Sequence, residues 1–121
     1  MTLPNPVTVI EVGGRDGLQS VKAFVPTEEK VHLLDLLIDA GFRRIEATSF
    51  VSPKHVPQMA DAEEVLGRVK RPAGVAFEAL VPNVRGLERA LRCGLDRVSL
   101  FVSASETFNR KNLRAGREAS R

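Results

Sequence analysis

The stretch EVGGRDGLQ, residues 11–19, places an adjacent cation and carboxylate just beyond an apolar run. Arg15 can clamp a carboxylate or neutralise developing negative charge, and Asp16 is a hard oxygen ligand of the kind that Mg²⁺ and Mn²⁺ take in proteins. Simpler interpretations stay open from residue type alone, since an Asp in a turn is commonly a turn residue and an Arg commonly a surface residue. The stretch predicts a candidate site for an anionic substrate and a divalent metal ion.

Glu46 is the third candidate, because it interrupts a short apolar run at residues 44–48. A carboxylate inside a buried strand needs a partner. Arg15 and Asp16 are expected at the end of the neighbouring strand, so we predict an ion pair between Arg15 and Glu46.

These three residues must be positioned by a chain in which short apolar runs alternate with amphipathic ones. This order predicts parallel strands joined by helices. The predicted strands are residues 7–12, 44–48, 75–81 and 97–102, and the predicted helices begin at Thr27, Asp61 and Pro82. Thr27 is expected to cap the first helix through its hydroxyl group. Gly41 and Gly94 are typical helix stops.

The alternation of strands and helices fits both an open doubly wound sheet and a barrel. Gly13, Gly14 and Gly17 do not match the G-x-G-x-x-G spacing of a dinucleotide-binding loop, which disfavours the first. Polar residues such as Asn83 and Ser103 follow predicted strands, as catalytic groups do in barrels. We therefore predict an α/β fold built of (β/α)8 TIM-barrel units, in which residues 1–121 supply four strands and about three helices.

Composition excludes several other classes of protein. The 121 residues are 43% hydrophobic and 27% charged, which is typical of a globular domain. The net charge of +3 comes without a basic stripe interleaved with aromatics, which favours a small phosphorylated ligand over nucleic acid. No apolar run approaches the ~20 residues that span a bilayer. We expect no signal or transit peptide, and so a cytoplasmic protein without a nucleic-acid or membrane partner.

The histidines and the cysteine offer no second site by their spacing. His32 and His55 do not form a metal-binding motif, and we interpret both as structural. Cys93 is the only cysteine, so no intrachain disulfide can form, and we expect a packed residue and not a nucleophile.

Four segments together resemble the hydroxymethylglutaryl-CoA lyase family: EVGGRDGLQ, IEATSFVSPKHVPQMAD, LVPNVRGLERAL and SASETFNRKN. The RDG triplet alone is shared with isopropylmalate and homocitrate synthases, whereas RDGLQ followed by TSFVSPK and VPQMAD is similar to the lyases. The resemblance extends over nearly the whole chain and corresponds to the N-terminal portion of a TIM-barrel metallolyase.

The resemblance implies a role for each member of the candidate site. Asp16 corresponds to a ligand of the divalent metal ion, Mg²⁺ or Mn²⁺. Arg15 corresponds to the residue that contacts the substrate and stabilises the enolate of the departing acetyl-CoA, and Glu46 to the acid that supports both. The implied reaction is the metal-assisted retro-Claisen cleavage of 3-hydroxy-3-methylglutaryl-CoA to acetyl-CoA and acetoacetate, as in leucine degradation.

The resemblance also implies an acyl-CoA substrate, with Gln19, Ser49, Lys111 and Asn112 at positions near the substrate and the CoA. The family's other metal ligands, a His-x-His motif and an Asn, and its reactive Cys loop correspond to sequence beyond residue 121. We therefore expect the chain alone to be inactive and to self-associate or pair with a complementary C-terminal half, because an open half barrel exposes strand edges. The alternatives are a condensing enzyme of the isopropylmalate or homocitrate synthase type and a non-catalytic half barrel that self-associates.

Overall fold

The computed structural model describes residues 1–105 together with residues 107 and 108, and in these ranges strands and helices alternate along the chain. The elements are a π-helical turn at Gly13–Gly17, α1 at Thr27–Asp39, β1 at Arg44–Ser49, a 3₁₀ turn at Pro57–Met59, α2 at Ala62–Arg68, β2 at Ala76–Leu80, α3 at Val84–Arg92 and β3 at Arg97–Ser99. The strands form a parallel sheet in the order β1-β2-β3. This arrangement confirms the predicted α/β class.

The hydrophobic core lies between the sheet and the helices and is mainly aliphatic, as a chain without Trp or Tyr requires. Its buried members are Leu34, Ile45, Ala47, Phe50, Ala62, Val65, Leu66, Val69, Phe77, Ala79, Val81, Ala90 and Leu95. Gly41 and Gly94 follow α1 and α3 with φ values of +100° and +69°, which confirms both predicted helix ends. None of the described helices is both long and apolar enough to cross a bilayer.

The register of β1 and β2 separates the two faces of the sheet. Ile45 lies opposite Phe77, and both enter the core. Glu46 lies opposite Glu78, and since side chains alternate along a strand, both carboxylates lie on the face away from the helices. Each of these glutamates is only 5% exposed. In a closed barrel this face is the interior, which is where the site is expected.

The predicted strand over residues 7–12 is wrong as a strand. Within the described residues, this segment pairs with β1 through one parallel bridge, between Glu11 and Ile45. Val7 and Val9 are 84% and 60% exposed, because no described element packs over them. Without burial of these side chains, their β propensity is not enough to form a strand. The last predicted strand is shorter than expected for the same reason: it ends at Ser99 and not at residue 102, and Leu100 is 69% exposed.

Helix α1 begins at the predicted residue, but the predicted cap is wrong. Pro26 occupies the N-cap position, and the Thr27 hydroxyl group instead donates to Asp61 Oδ2 at 2.7 Å. Lys30 Nζ lies 2.6 Å from Asp61 Oδ1 and also donates to the backbone carbonyl of Gln58 at 2.5 Å. The Lys30 and Asp61 side chains are 5% and 8% exposed. This buried cluster joins the start of α1 to the start of α2.

We expect the substitution Lys30→Met to lower the free energy of unfolding by about 3–5 kcal/mol, because it leaves Asp61 as a buried charge without its cation. Denaturant-induced unfolding followed by circular dichroism measures this change. Arg68→Met is the matched control, since the Arg68 side chain is 49% exposed in its ion pairs and its loss should change stability little. Equal effects of the two substitutions would contradict the assignment.

Candidate active site

The π-helical turn places Arg15 and Asp16 next to the sheet. Gly14 is the buried residue of this turn. A Cβ atom at Gly14 would lie 3.0 Å from Leu34 Cδ2 and 3.1 Å from the backbone oxygen of Ala47. The turn can approach α1 and β1 this closely only because residue 14 has no side chain.

The segment before the turn is fixed to β1 at a single residue. Glu11 N donates to the carbonyl of Arg44 at 3.0 Å, and Glu46 N donates to the carbonyl of Glu11 at 2.8 Å. The Glu11 side chain accepts a hydrogen bond from Gly13 N at 2.6 Å, which ties the start of the turn to the same residue. Glu11 therefore sets the position of the turn relative to Glu46.

Arg15 and Glu46 form the central contact of the site. Arg15 Nε donates to Glu46 Oε1 at 2.5 Å, and their side chains are 21% and 7% exposed. Arg15 Nη1 lies 3.1 Å from Asp16 Oδ1. The ion pair predicted from the sequence is confirmed. It brings Arg15, Asp16 and Glu46 together at the carboxyl end of the sheet, where barrel enzymes carry their catalytic groups.

Ser99 is a member of this cluster that the sequence analysis missed. Its hydroxyl group, at the end of β3, donates to Glu46 Oε2. The polar residues that the sequence indicates follow predicted strands, whereas Ser99 lies inside one. The alternation within β3 was the available signal, because Val98 packs against the core and Ser99 must therefore face the opposite side.

A second buried pair lies beside the first on the same face. Arg44 Nε donates to Glu78 Oε1 at 2.6 Å. Each inward carboxylate thus has its own arginine, which satisfies the requirement that buried charges be paired. Because Arg44 is bonded to Glu78, it does not compete with Arg15 for the carboxylate of Glu46.

The described residues offer one possible ligand for a metal ion, and not a complete metal site. The Asp16 side chain is 66% exposed and can offer a carboxylate oxygen to a hard cation. Within residues 1–105, 107 and 108, no group of three or more His, Cys, Asp or Glu residues is arranged to hold a metal ion. A hard divalent cation takes about six oxygen ligands, so the others must come from outside this part of the chain.

The remaining predicted contact residues have different surroundings. Gln19 Oε1 is buried and has no hydrogen-bond partner among the described residues. Ser49 is fully buried, and its hydroxyl group accepts from Val51 N at 3.3 Å, which shapes the turn after β1. Lys111 and Asn112 lie outside the described residues.

Away from this cluster, α2 and α3 are joined by Arg89 Nε, which donates to Glu63 Oε1 at 2.5 Å. The hydrogen bond from Arg89 lowers the pKa of the Glu63 carboxyl group. Burial raises the pKa of the Cys93 thiol, which keeps it protonated at neutral pH. That state agrees with the interpretation of Cys93 as a packed residue.

Parallel strands alternating with helices, with a charged turn beside the first of them, define part of an α/β barrel. The sequence profile of the family described as HMGL-like matches residues 6–121. The chain belongs to this family.

Three relatives and solved structures that are similar to the chain bear the name of one enzyme. The mitochondrial hydroxymethylglutaryl-CoA lyase of Rattus norvegicus is 50% identical over 98% of this chain. The cytoplasmic 3-hydroxy-3-methylglutaryl-CoA lyase of Danio rerio is 51% identical over 98% of it. The HMG-CoA lyase of Acinetobacter baumannii, solved with coenzyme A and 3-methylmalate, superposes with a TM-score of 0.89 at 42% identity over 93% of it.

The chain spans only part of each of these proteins. It covers 37% of the rat protein, 35% of the zebrafish protein and 37% of the bacterial structure. These comparisons confirm the resemblance to the lyase family and the partial TIM barrel.

The substitution Gly14→Ala is expected to lower the free energy of unfolding by about 1–3 kcal/mol, because the new methyl group is overpacked against the β1 backbone. Gly17→Ala is the matched control in the same turn, since a Cβ there meets nothing within 4 Å. Thermal unfolding of the two variants measures the difference. A Gly14→Ala variant as stable as Gly17→Ala would show that the turn does not require this close approach.

Proposed function

We propose that this chain supplies Arg15, Asp16 and Glu46 to an active site that cleaves 3-hydroxy-3-methylglutaryl-CoA into acetyl-CoA and acetoacetate. The observation that carries the proposal is the arginine held at 2.5 Å by a buried glutamate at the carboxyl end of a barrel-type sheet. Membership of the HMGL-like family and the names of its relatives support the same reaction class.

In this cleavage the tertiary hydroxyl group loses its proton and the bond between C2 and C3 breaks. C3 becomes the ketone carbon of acetoacetate, and the electron pair stays on the acetyl-CoA portion as an enolate, which then takes up a proton. The transition state thus places negative charge on the thioester oxygen. A guanidinium group already fixed by Glu46 can stabilise that charge without reorganising, which is the role we assign to Arg15.

A divalent metal ion, Mg²⁺ or Mn²⁺, would be held in part by Asp16 and would polarise the substrate oxygens when bound. Arg15 contacts one oxygen of Asp16 and therefore orients the carboxylate that would help to hold the ion. Glu46 acts through Arg15, because Arg15 occupies one of its oxygens and Ser99 the other.

Four further residues are assigned to substrate and CoA binding in this proposal. Gln19 is supported by its buried, unpartnered oxygen. Ser49 acts through the turn that it shapes after β1. Lys111 and Asn112 are assigned on the family resemblance. The coenzyme A present in the Acinetobacter baumannii structure supports an acyl-CoA as the class of substrate.

We further propose that residues 1–121 act as one domain, the N-terminal half of a barrel that is completed by a C-terminal half or by a second copy. Exposed apolar side chains at both edges of the sheet support this: Val7 and Val9 are 84% and 60% exposed on one side, and Leu100 and Phe101 are 69% and 47% exposed on the other. We also propose a cytoplasmic location. The name of the Danio rerio relative supports it, whereas the rat relative bears a mitochondrial name.

The activity is tested with a chimera in which residues 6–105 replace the matching segment of the Acinetobacter baumannii lyase. We expect the chimera to form acetoacetate from 3-hydroxy-3-methylglutaryl-CoA in a coupled assay with Mn²⁺. Arg15→Gln in the chimera should lower kcat about 10²–10³-fold, as loss of a transition-state donor does. Arg68→Gln, on the outer face of α2, is the control and should leave kcat unchanged. A chimera that keeps its kcat after Arg15→Gln would refute the assigned role.

The 121-residue chain alone is expected to give no acetoacetate, because its described residues provide one carboxylate for the metal ion. Light scattering should show self-association through the exposed sheet edges. Turnover by the chain alone would overturn the proposed dependence on ligands from elsewhere, and a monodisperse monomer would argue against the exposed edges as an interface.

A further inference from the structure

We propose that Ser99 is a positioning residue that fixes the plane of the Glu46 carboxylate and, through it, the guanidinium group of Arg15. The hydroxyl group of Ser99 donates to Glu46 Oε2, while Arg15 Nε donates to Glu46 Oε1. The two donors come from opposite ends of the described chain, one from the turn before α1 and the other from β3. The catalytic part of this inference rests on the proposed function, whereas its geometric part does not.

One contact alone does not fix a carboxylate. The backbone of Glu46 is anchored, since its N–H donates to the carbonyl of Glu11 at 2.8 Å. The last torsion of a glutamate side chain is nevertheless broad, and the two oxygens can rotate about it. A donor on each oxygen removes that rotation, so Ser99 defines the direction in which Oε1 meets Arg15.

A neutral hydroxyl group suits this position better than a second cation. A lysine or arginine at residue 99 would satisfy Oε2 but would compete with Arg15 for the charge of Glu46. Ser99 donates a hydrogen bond and adds no charge, so Glu46 remains the counter-ion of Arg15 alone. Arg44, two residues before Glu46 on β1, is engaged with Glu78 and does not enter the pair.

The position of Ser99 in the sheet explains how it reaches Glu46. β3 pairs with β2 so that Ser99 lies opposite Leu80 and Arg97 opposite Glu78. Residues 97 and 99 therefore share the face that carries Glu46 and Glu78. Ser99 is the last residue of β3.

The geometric part is tested on the 121-residue chain by NMR, as the hydrogen-exchange rate of the Arg15 Nε–H group. Ser99→Ala should raise this rate roughly tenfold, because the freed carboxylate no longer holds its donor in one geometry. Ser99→Thr keeps the hydroxyl group and should keep the slow rate. The Arg89 Nε–H group, bonded to Glu63 between the helices, is the internal control and should not change.

An unchanged Arg15 rate in Ser99→Ala would overturn the proposal. Equal acceleration at Arg15 and Arg89 would also overturn it, because it would mean that Ser99 supports the fold in general and not this pair.

The catalytic part is tested in the chimera with the Acinetobacter baumannii lyase. We expect Ser99→Ala to lower kcat roughly tenfold with little change in KM, since Arg15 is assigned to the transition state, and Ser99→Thr to restore kcat. A chimera without any lyase activity would refute the proposed function while the exchange measurement still decides the geometry. An active chimera whose kcat is insensitive to Ser99→Ala would refute the positioning role.

Discussion

A carboxylate that is 5% exposed must be paired, and the pairing of Glu46 organises the site. Arg15 extends from the turn onto the sheet, where its Nε atom lies 2.5 Å from Glu46 Oε1. The Arg15 side chain is only 21% exposed there. Arg15 can reach Glu46 because Gly14 lets the turn lie against β1. The hydroxyl group of Ser99 satisfies the second oxygen from two strands away. A cation fixed in this way has its electrostatic effect in place before a substrate arrives.

The rest of the described chain keeps that pair isolated and oriented. Arg44 engages Glu78, so the second inward carboxylate does not compete for Arg15. On the other face, the buried contact between Lys30 and Asp61 joins the first two helices. Two of these ion pairs therefore lie on one face of the sheet, and the third joins the helices on the other face.

The sequence predicts those parts of the fold and the site that follow from one residue type within its own element. A lone acid in an apolar strand needs a cation, so the ion pair of Glu46 with Arg15 was predictable although the two residues lie 31 positions apart. The helix ends follow from Gly41 and Gly94. A contact made by a residue that already has a sufficient local role was not predictable in the same way. The hydroxyl group of Thr27 serves Asp61, which lies 34 residues away, and not its own helix.

The predicted strand over residues 7–12 shows the other limit of the sequence. Its β-branched residues have the propensity to form a strand, but propensity is expressed only where a neighbour buries the side chains. Ser99 was missed because its partner lies 53 residues earlier, and one hydroxyl group inside a strand gives no sign of what it faces. No metal site could be read from the described residues either, since they bring no three His, Cys, Asp or Glu side chains together in an arrangement that could hold an ion.

The dependence of the site on the pair between Arg15 and Glu46 is tested most directly by a double-mutant cycle. The free energy of unfolding is measured for Arg15→Gln, for Glu46→Gln, for the double variant and for the unmodified chain. If the pair is the constraint described above, the double variant loses less stability than the sum of the two single losses, with a coupling energy of about 1–3 kcal/mol. Losses that add to within about 0.5 kcal/mol would contradict the account.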